Sequence, residues 1–112
     1  MSETFTEAEA LALVERLTRP RLAAFLEAEL IRPAEAPQGR AFRRIDLARL
    51  ELLCDLADGF DLEADALGVV IGLLDQLHEA RGTLRAMAEA MEAEPPELRT
   101  RVGTRLVAIL RR

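Results

Sequence analysis

The chain has no lysine, no tryptophan and no tyrosine, and it carries one cysteine and one histidine in 112 residues. Each shortage excludes something. With Phe5, Phe25, Phe42 and Phe60 as the only aromatic side chains, the core has to be built from Leu, Val, Ile and Ala, which favours helix over sheet. A lone Cys54 can form neither an intramolecular disulfide nor a multi-cysteine metal site, and its place on the apolar side of a predicted helix marks it as a buried, inert thiol. No apolar run reaches the length of a membrane span, and the first residues lack the basic and apolar segments of a secretion signal, so a cytoplasmic protein is expected. All fifteen basic residues are arginine, yet acids outnumber them and the net charge is −5, which argues against a protein whose main work is holding phosphate backbones.

The length suits one domain with one core. Thr6-Glu7-Ala8-Glu9 has capping-box spacing and predicts a first helix from about 7 to 17 with Leu11, Val14 and Leu17 inward. Thr18 caps a second helix, in which Pro20 is tolerated in the first turn and Leu22, Phe25 and Leu26 face the core. From Leu30 to Phe42 the chain reads as two short extended pieces around a turn, because Pro33 and Pro37 disfavour helix and Gly39 permits an unusual backbone angle. A third helix over about 44 to 58 carries Leu47, Leu50, Leu53, Cys54 and Ala57 at spacings of three and four, with Gly59 as its stop.

Asp61 then caps a long helix from about 62 to 93, with an interruption expected near Gly82. Leu67, Val70, Leu74, Leu77, Arg81, Leu84, Ala88 and Met91 step alternately by three and four, the spacing of a heptad seam. Leu67 to Leu77 is equally able to pack on the domain's own core, but little of the domain remains to cover the seam beyond. A homodimer interface at Leu67, Val70, Leu74, Leu77, Leu84 and Met91 is therefore expected, with Arg81 an awkward occupant that has to snorkel or find an acid. Pro95-Pro96 ends this helix and opens another, whose stripe of Leu98, Val102, Leu106, Ile109 and Leu110 is flanked by Arg99, Arg101, Arg105, Arg111 and Arg112. A short terminal helix of this kind usually docks its apolar stripe on its own protein or a dimer mate, and neither a membrane nor a cofactor is called for. The chain thus divides at 1–62, 63–93 and 95–112 within a single domain.

The inventory for catalysis is thin. His78 stands on a helix with no residues at the spacing of a familiar triad, and the carboxylates between Asp55 and Asp65 lack the glycine-centred loop that would hold a calcium ion. A non-enzymatic protein without cofactor or metal is the expectation. Charge is more informative: from Leu50 to Ala80 stand Glu51, Asp55, Asp58, Asp61, Glu63, Asp65, Asp75 and Glu79 with no basic residue, whereas Arg32, Arg40, Arg43, Arg44 and Arg49 dominate the stretch before them. Such a bipolar scaffold attracts a basic partner to its acidic side.

Taken in order, Phe5-Thr6, Leu30-Ile31-Arg32-Pro33, Arg40-Ala41-Phe42, Asp46-Leu47 with Leu50, Gly59-Phe60-Asp61-Leu62, Val69-Val70-Ile71 and Leu73-Leu74-Asp75-Gln76-Leu77 resemble the MerR-like winged helix-turn-helix group, and within it the short chaperone modulators of the CbpM type. The resemblance covers roughly residues 5 to 91. It implies a mostly helical winged helix-turn-helix fold with a small two-stranded wing, followed by a long C-terminal helix and a short amphipathic one. It further implies a bacterial protein that binds the J-domain of a DnaJ-like co-chaperone of the CbpA type and inhibits it. J-domains present a basic helix, so Glu51, Asp55, Asp58, Asp61, Glu63 and Asp65 are the expected contact surface, a reading that comes from charge and not from a family motif.

This chain departs from the DNA-binding members of the group. Ala23-Ala24-Phe25-Leu26 stands where those proteins place an arginine and paired tyrosines, Glu29 replaces the glycine usual before the wing, and Arg43 occupies the place of a Ser or Asp cap. Lost phosphate contacts and an added carboxylate weaken affinity for a polyanion, so DNA binding is expected to be weak or absent. The alternative is a transcription regulator in which Arg32, Arg40, Arg43 and Arg44 contact phosphates.

Overall fold

The computed structural model describes residues 3–112. Among them the elements run β1 (Thr4–Phe5), α1 (Glu7–Leu13), α2 (Arg19–Glu27), β2 (Ala34–Ala36), β3 (Gly39–Arg43), α3 (Arg44–Phe60), α4 (Ala64–Glu92) and α5 (Pro96–Leu110). The chain divides into two compact units between Leu73 and Leu74, inside α4, whereas the sequence had suggested boundaries near 62 and 94.

The first unit opens as its capping box dictates. Thr6 Oγ1 accepts from the Glu9 amide at 3.1 Å, and the Glu9 carboxylate accepts from the Thr6 amide at 2.8 Å. Helix α1 ends earlier than expected, because Val14 turns extended at φ −95°, ψ 103° and the chain needs the residues before Thr18 to change direction. Val14 and Leu17 are still buried, now from the connection rather than from a helix face. Thr18 caps α2 by accepting from the Arg21 amide at 3.2 Å, with Pro20 in the first turn.

Helix α2 stops in a Schellman motif. The Leu30 amide donates to the Phe25 carbonyl at 2.9 Å and the Glu29 amide to the Leu26 carbonyl at 3.1 Å, while Phe25 and Leu30 are both buried. Glu29 is the left-handed residue of that motif, at φ 59°. The position that asks for glycine is thus occupied by a side chain with a Cβ, which the geometry disfavours.

Beyond this turn β2 and β3 form a hairpin with register Ala34↔Ala41, Glu35↔Arg40 and Ala36↔Gly39, and Gly39 takes φ 123° as expected of the turn glycine. The expected pair of strands is in fact a sheet of three, in the order β1-β3-β2, because Thr4 and Phe5 pair antiparallel with Arg43 and Phe42. Two residues before a capping box carry too little pattern to announce a strand.

Helix α3 begins where β3 ends, with no loop between them. Arg43 offers no oxygen to cap it, and Asp46 acts instead: its carboxylate accepts from the Arg43 amide at 2.8 Å and from Arg43 Nε and Nη2 at 3.1 Å each. Asp46 is buried at 3% exposure, so these bonds satisfy a charge that would otherwise be expensive. Deeper along the helix, Arg49 Nε donates to the Leu30 carbonyl at 2.6 Å and ties α3 to the end of α2. Gly59 does not stop α3, which continues through Phe60 until Asp61 takes the left-handed conformation at φ 53°. Asp61 therefore ends α3 instead of capping α4, and the Glu63 carbonyl accepts the Leu67 amide at 2.9 Å as α4 begins. Helix α4 is continuous past Gly82, where an interruption had been expected.

The core comprises Ala10, Val14, Leu17, Leu22, Phe25, Leu30, Ile31, Phe42, Leu50, Leu53, Cys54, Leu67 and Ile71. Every one of them lies in the first unit. Helix α4 passes beside Leu30 at Gly68, where a Cβ would stand 3.6 Å from Leu30 Cδ2, an ordinary van der Waals contact.

Replacing Glu29 with Gly is expected to stabilise the protein by about 0.5–1 kcal/mol, because relief of the left-handed Cβ outweighs the extra freedom given to the unfolded chain. Thermal unfolding should shift upward by a few degrees, and Glu29→Val should shift it downward. A lower midpoint for Glu29→Gly would refute the strain assigned to this turn.

Candidate partner-binding surface

The acidic residues proposed for partner binding are not equivalent. Asp55 and Asp58 sit three residues apart on α3, on the side that receives two arginines from the α1–α2 region. Arg21 grips Asp58 with both nitrogens, Nη2 to Oδ1 at 2.8 Å and Nη1 to Oδ2 at 3.2 Å, and also reaches the Arg16 carbonyl at 3.3 Å. Arg16 pairs with Asp55 and approaches Asp58 at 3.5 Å. The sequence had suggested six bare carboxylates here. Two of them instead hold α2 and the preceding turn against α3.

These contacts leave an electrostatic signature. Hydrogen bonding from Arg21 holds the Asp58 carboxyl below the ordinary aspartate range, and Asp58 in turn raises the Arg21 guanidinium. Burial pushes the neighbouring Cys54 thiol up, as expected of an inert cysteine. Cys54 lies at the floor of a shallow hollow shared with Val14, Glu15, Arg16, Glu51 and Asp55.

The other four acids behave differently. Glu51, Asp61, Glu63 and Asp65 are exposed, and among the described residues none of them forms an ion pair. Glu51 stands one turn before Asp55 on α3, at the rim of the same hollow, and the others lie at the C-terminal end of α3 and around the start of α4. Among the described residues, no group of three or more His, Cys, Asp or Glu side chains is arranged to hold a metal ion.

The basic stretch is quenched from an unexpected direction. Arg40 lies 3.7 Å from Glu7, Arg43 is bound to Asp46, and Arg44 pairs with Glu3 while its guanidinium carbon stands 5.8 Å from the centroid of the Phe5 ring. Glu3 just before β1 and Glu7 in the first turn of α1 supply two of these partners from outside residues 32–49, and Asp46 in α3 supplies the third. The charge excess of Arg16, Arg19 and Arg21 around Thr18 was the available signal that residues 50–65 would meet cations in the fold.

The residues assigned to a dimer seam also separate. Leu67 is buried in the first unit's core, so it is withdrawn as an interface residue, and Val70 and Leu74 are half-buried. Leu77 and Leu84 are exposed and Met91 is half-exposed. No helix among the described residues is long and apolar enough to cross a membrane. Compared with models of protein families, with curated proteins and with solved structures, the chain matches none.

The Asp58 pairing sets an acid limit. A carboxyl whose folded pKa lies below its unfolded value of about 3.9 contributes stability that is complete above that value and is lost as pH falls through the lowered one. Denaturant midpoints should therefore decline as pH drops below about 4, and Asp58→Asn should be less stable at neutral pH with a shallower acid decline. An unchanged acid slope in Asp58→Asn would contradict this assignment.

Proposed function

We propose that this chain is a non-enzymatic binding module, a winged-helix scaffold that binds the J-domain of a DnaJ-like co-chaperone of the CbpA type and inhibits it. The observation that carries the reading is the redistribution of charge. Of the four arginines that phosphate contact would use, Arg40, Arg43 and Arg44 are engaged by Glu7, Asp46 and Glu3 and Arg32 is exposed, whereas Glu51, Asp61, Glu63 and Asp65 are exposed without ion pairs among the described residues. A polyanion gains little from arginines that already hold carboxylates, while a basic protein surface meets exposed acids that no ion pair occupies.

In this reading β2 and β3 are the wing, and the short run from Ala23 to Leu26 on α2 is a scaffold element where a DNA reader would carry contacts. Asp55 and Asp58 act through structure, by fixing α2 on α3, and the contact role falls to Glu51, Asp61, Glu63 and Asp65. The choice of a J-domain over other basic partners rests on the resemblance to CbpM-type modulators.

Calorimetric titration of the full chain with a purified CbpA-type J-domain tests this. The double variant Glu63→Arg/Asp65→Arg should weaken binding by about tenfold or more, mainly through slower association and a lost salt dependence. Arg40→Ala should leave it unchanged. Tight, salt-steep binding to duplex DNA with no J-domain affinity would overturn the proposal in favour of a DNA-binding regulator.

A further inference from the structure

Helix α5 and the two residues after it concentrate positive charge that nothing compensates. From Pro95 to Arg112 stand five of the fifteen arginines and one of the twenty acids, Glu97. Earlier in the chain Arg16 and Arg21 hold Asp55 and Asp58, Arg40 approaches Glu7, Arg43 holds Asp46 and Arg44 holds Glu3. By contrast Arg99, Arg101, Arg105, Arg111 and Arg112 are exposed and form no ion pair among the described residues.

The same helix sorts its side chains by face. At about 100° per residue, Leu98, Val102, Leu106, Val107, Ile109 and Leu110 fall within one half of its circumference. Past the first turn, where Arg99 interrupts it, that half carries no charge. Arg101 and Arg105 border it on one side and Arg111, at the C-cap, on the other. The sequence favoured docking of this stripe on the protein itself, yet none of the six is buried in the fold, and Leu106 is 53% and Leu110 74% exposed.

Cations bordering an apolar half fit a surface that is negative outside and apolar just beneath. A nucleic acid would use the arginines and leave Leu106 and Ile109 in water, and an uncharged groove would use the stripe alone. An anionic lipid interface takes both, because the arginine stems let the guanidinium groups rise to the phosphates while the apolar half enters the acyl boundary. Fifteen residues at about 1.5 Å each give a helix of about 22 Å, too short for a span, so it lies in the plane of the bilayer. The one acid of the helix does not cancel the attraction. Glu97 stands in its first turn, and Arg105 and Arg111 lie about 12 Å and about 21 Å further along the axis, beyond the ~8 Å reach of a charge at physiological salt.

We propose that α5 is an interfacial anchor that lies on an anionic lipid bilayer, its apolar half in the acyl boundary and its arginines among the lipid phosphates. The proposal does not rest on the co-chaperone reading, and its test uses the full chain and vesicles alone. The chain should float with phosphatidylcholine vesicles that carry about one-third phosphatidylglycerol, and should stay behind when the anionic lipid is left out. Arg101→Glu/Arg105→Glu should weaken partitioning by about a hundredfold or more, since each cation near an anionic surface is worth about fivefold. The charge-matched variant Arg19→Glu/Arg85→Glu should float like the wild type. Because the chain has no tryptophan, Leu106→Trp supplies a single reporter, whose emission should shift to the blue with these vesicles and be quenched by lipids brominated on the acyl chain. Leu106→Asp/Ile109→Asp should not float although it keeps every arginine, and the core of the first unit contains neither residue, so its fold is left intact. A wild type that does not float, equal loss in the two arginine variants, or an unshifted Leu106→Trp emission would overturn the proposal. So would binding to duplex DNA, in place of vesicles, that Leu106→Asp/Ile109→Asp leaves unchanged.

Discussion

The buried carboxylate of Asp46 is the constraint on which the first unit turns. Strand β3 is the middle strand of the sheet and α3 follows it without an intervening residue, so the direction of the longest core helix is set by one peptide, that of Arg43. Asp46 closes on that peptide and on the guanidinium of the same residue, which fixes strand and helix as one body. Phe42 is fully buried just before the junction and Leu50 just after it, so any slackness there would displace core side chains on both sides. Arg49 carries the same logic one turn further by holding the end of α2 through a carbonyl. Removing one partner from such a charge-assisted pair strands a buried group and is far more damaging than its count of bonds implies.

Arginine does nearly all the long-range electrostatic work in this chain, in the absence of lysine. Arg16 and Arg21 clamp α3, Arg40 and Arg44 reach the N-terminal elements, and Arg43 and Arg49 organise the strand–helix and helix–turn junctions. The planar, multidentate guanidinium suits these tasks better than an ammonium group would. One consequence is that formal charge and available charge differ: a stretch that is basic in sequence is largely compensated in the fold, and part of an acid-rich stretch is too.

Local patterns were legible in proportion to how local their causes are. The Thr6 capping box, the Thr18 cap with Pro20, the Gly39 turn and the burial of Leu22, Phe25, Leu50, Leu53 and Cys54 each follow from residues a few positions apart. What escaped was settled by distant partners. Strand β1 exists because β3 offers it an edge, Asp46 replaces the missing cap because Arg43 faces it, and Arg16 and Arg21 neutralise acids 37 to 39 residues away. The end of α3 was misplaced because Asp61, rather than Gly59, takes the left-handed conformation that closes it. Periodicity alone does not say which apolar line of α4 the core will claim, and it claims Leu67 and Ile71.

Helix α4 has two different kinds of support along its length. Up to Ile71 its backbone is shielded by side chains packed in the first unit's core, and beyond that point the hydrogen bonds of the helix are sheltered by none of its buried residues, since there are none. The 29 residues of α4 thus differ in the free energy of local opening, higher up to Ile71 and lower toward Glu92. Order in the far half is then a matter of mass action: whatever covers it contributes its binding energy to keeping it helical, so its helicity and its resistance to proteolysis rise with the concentration of the covering partner while the first unit is indifferent to it.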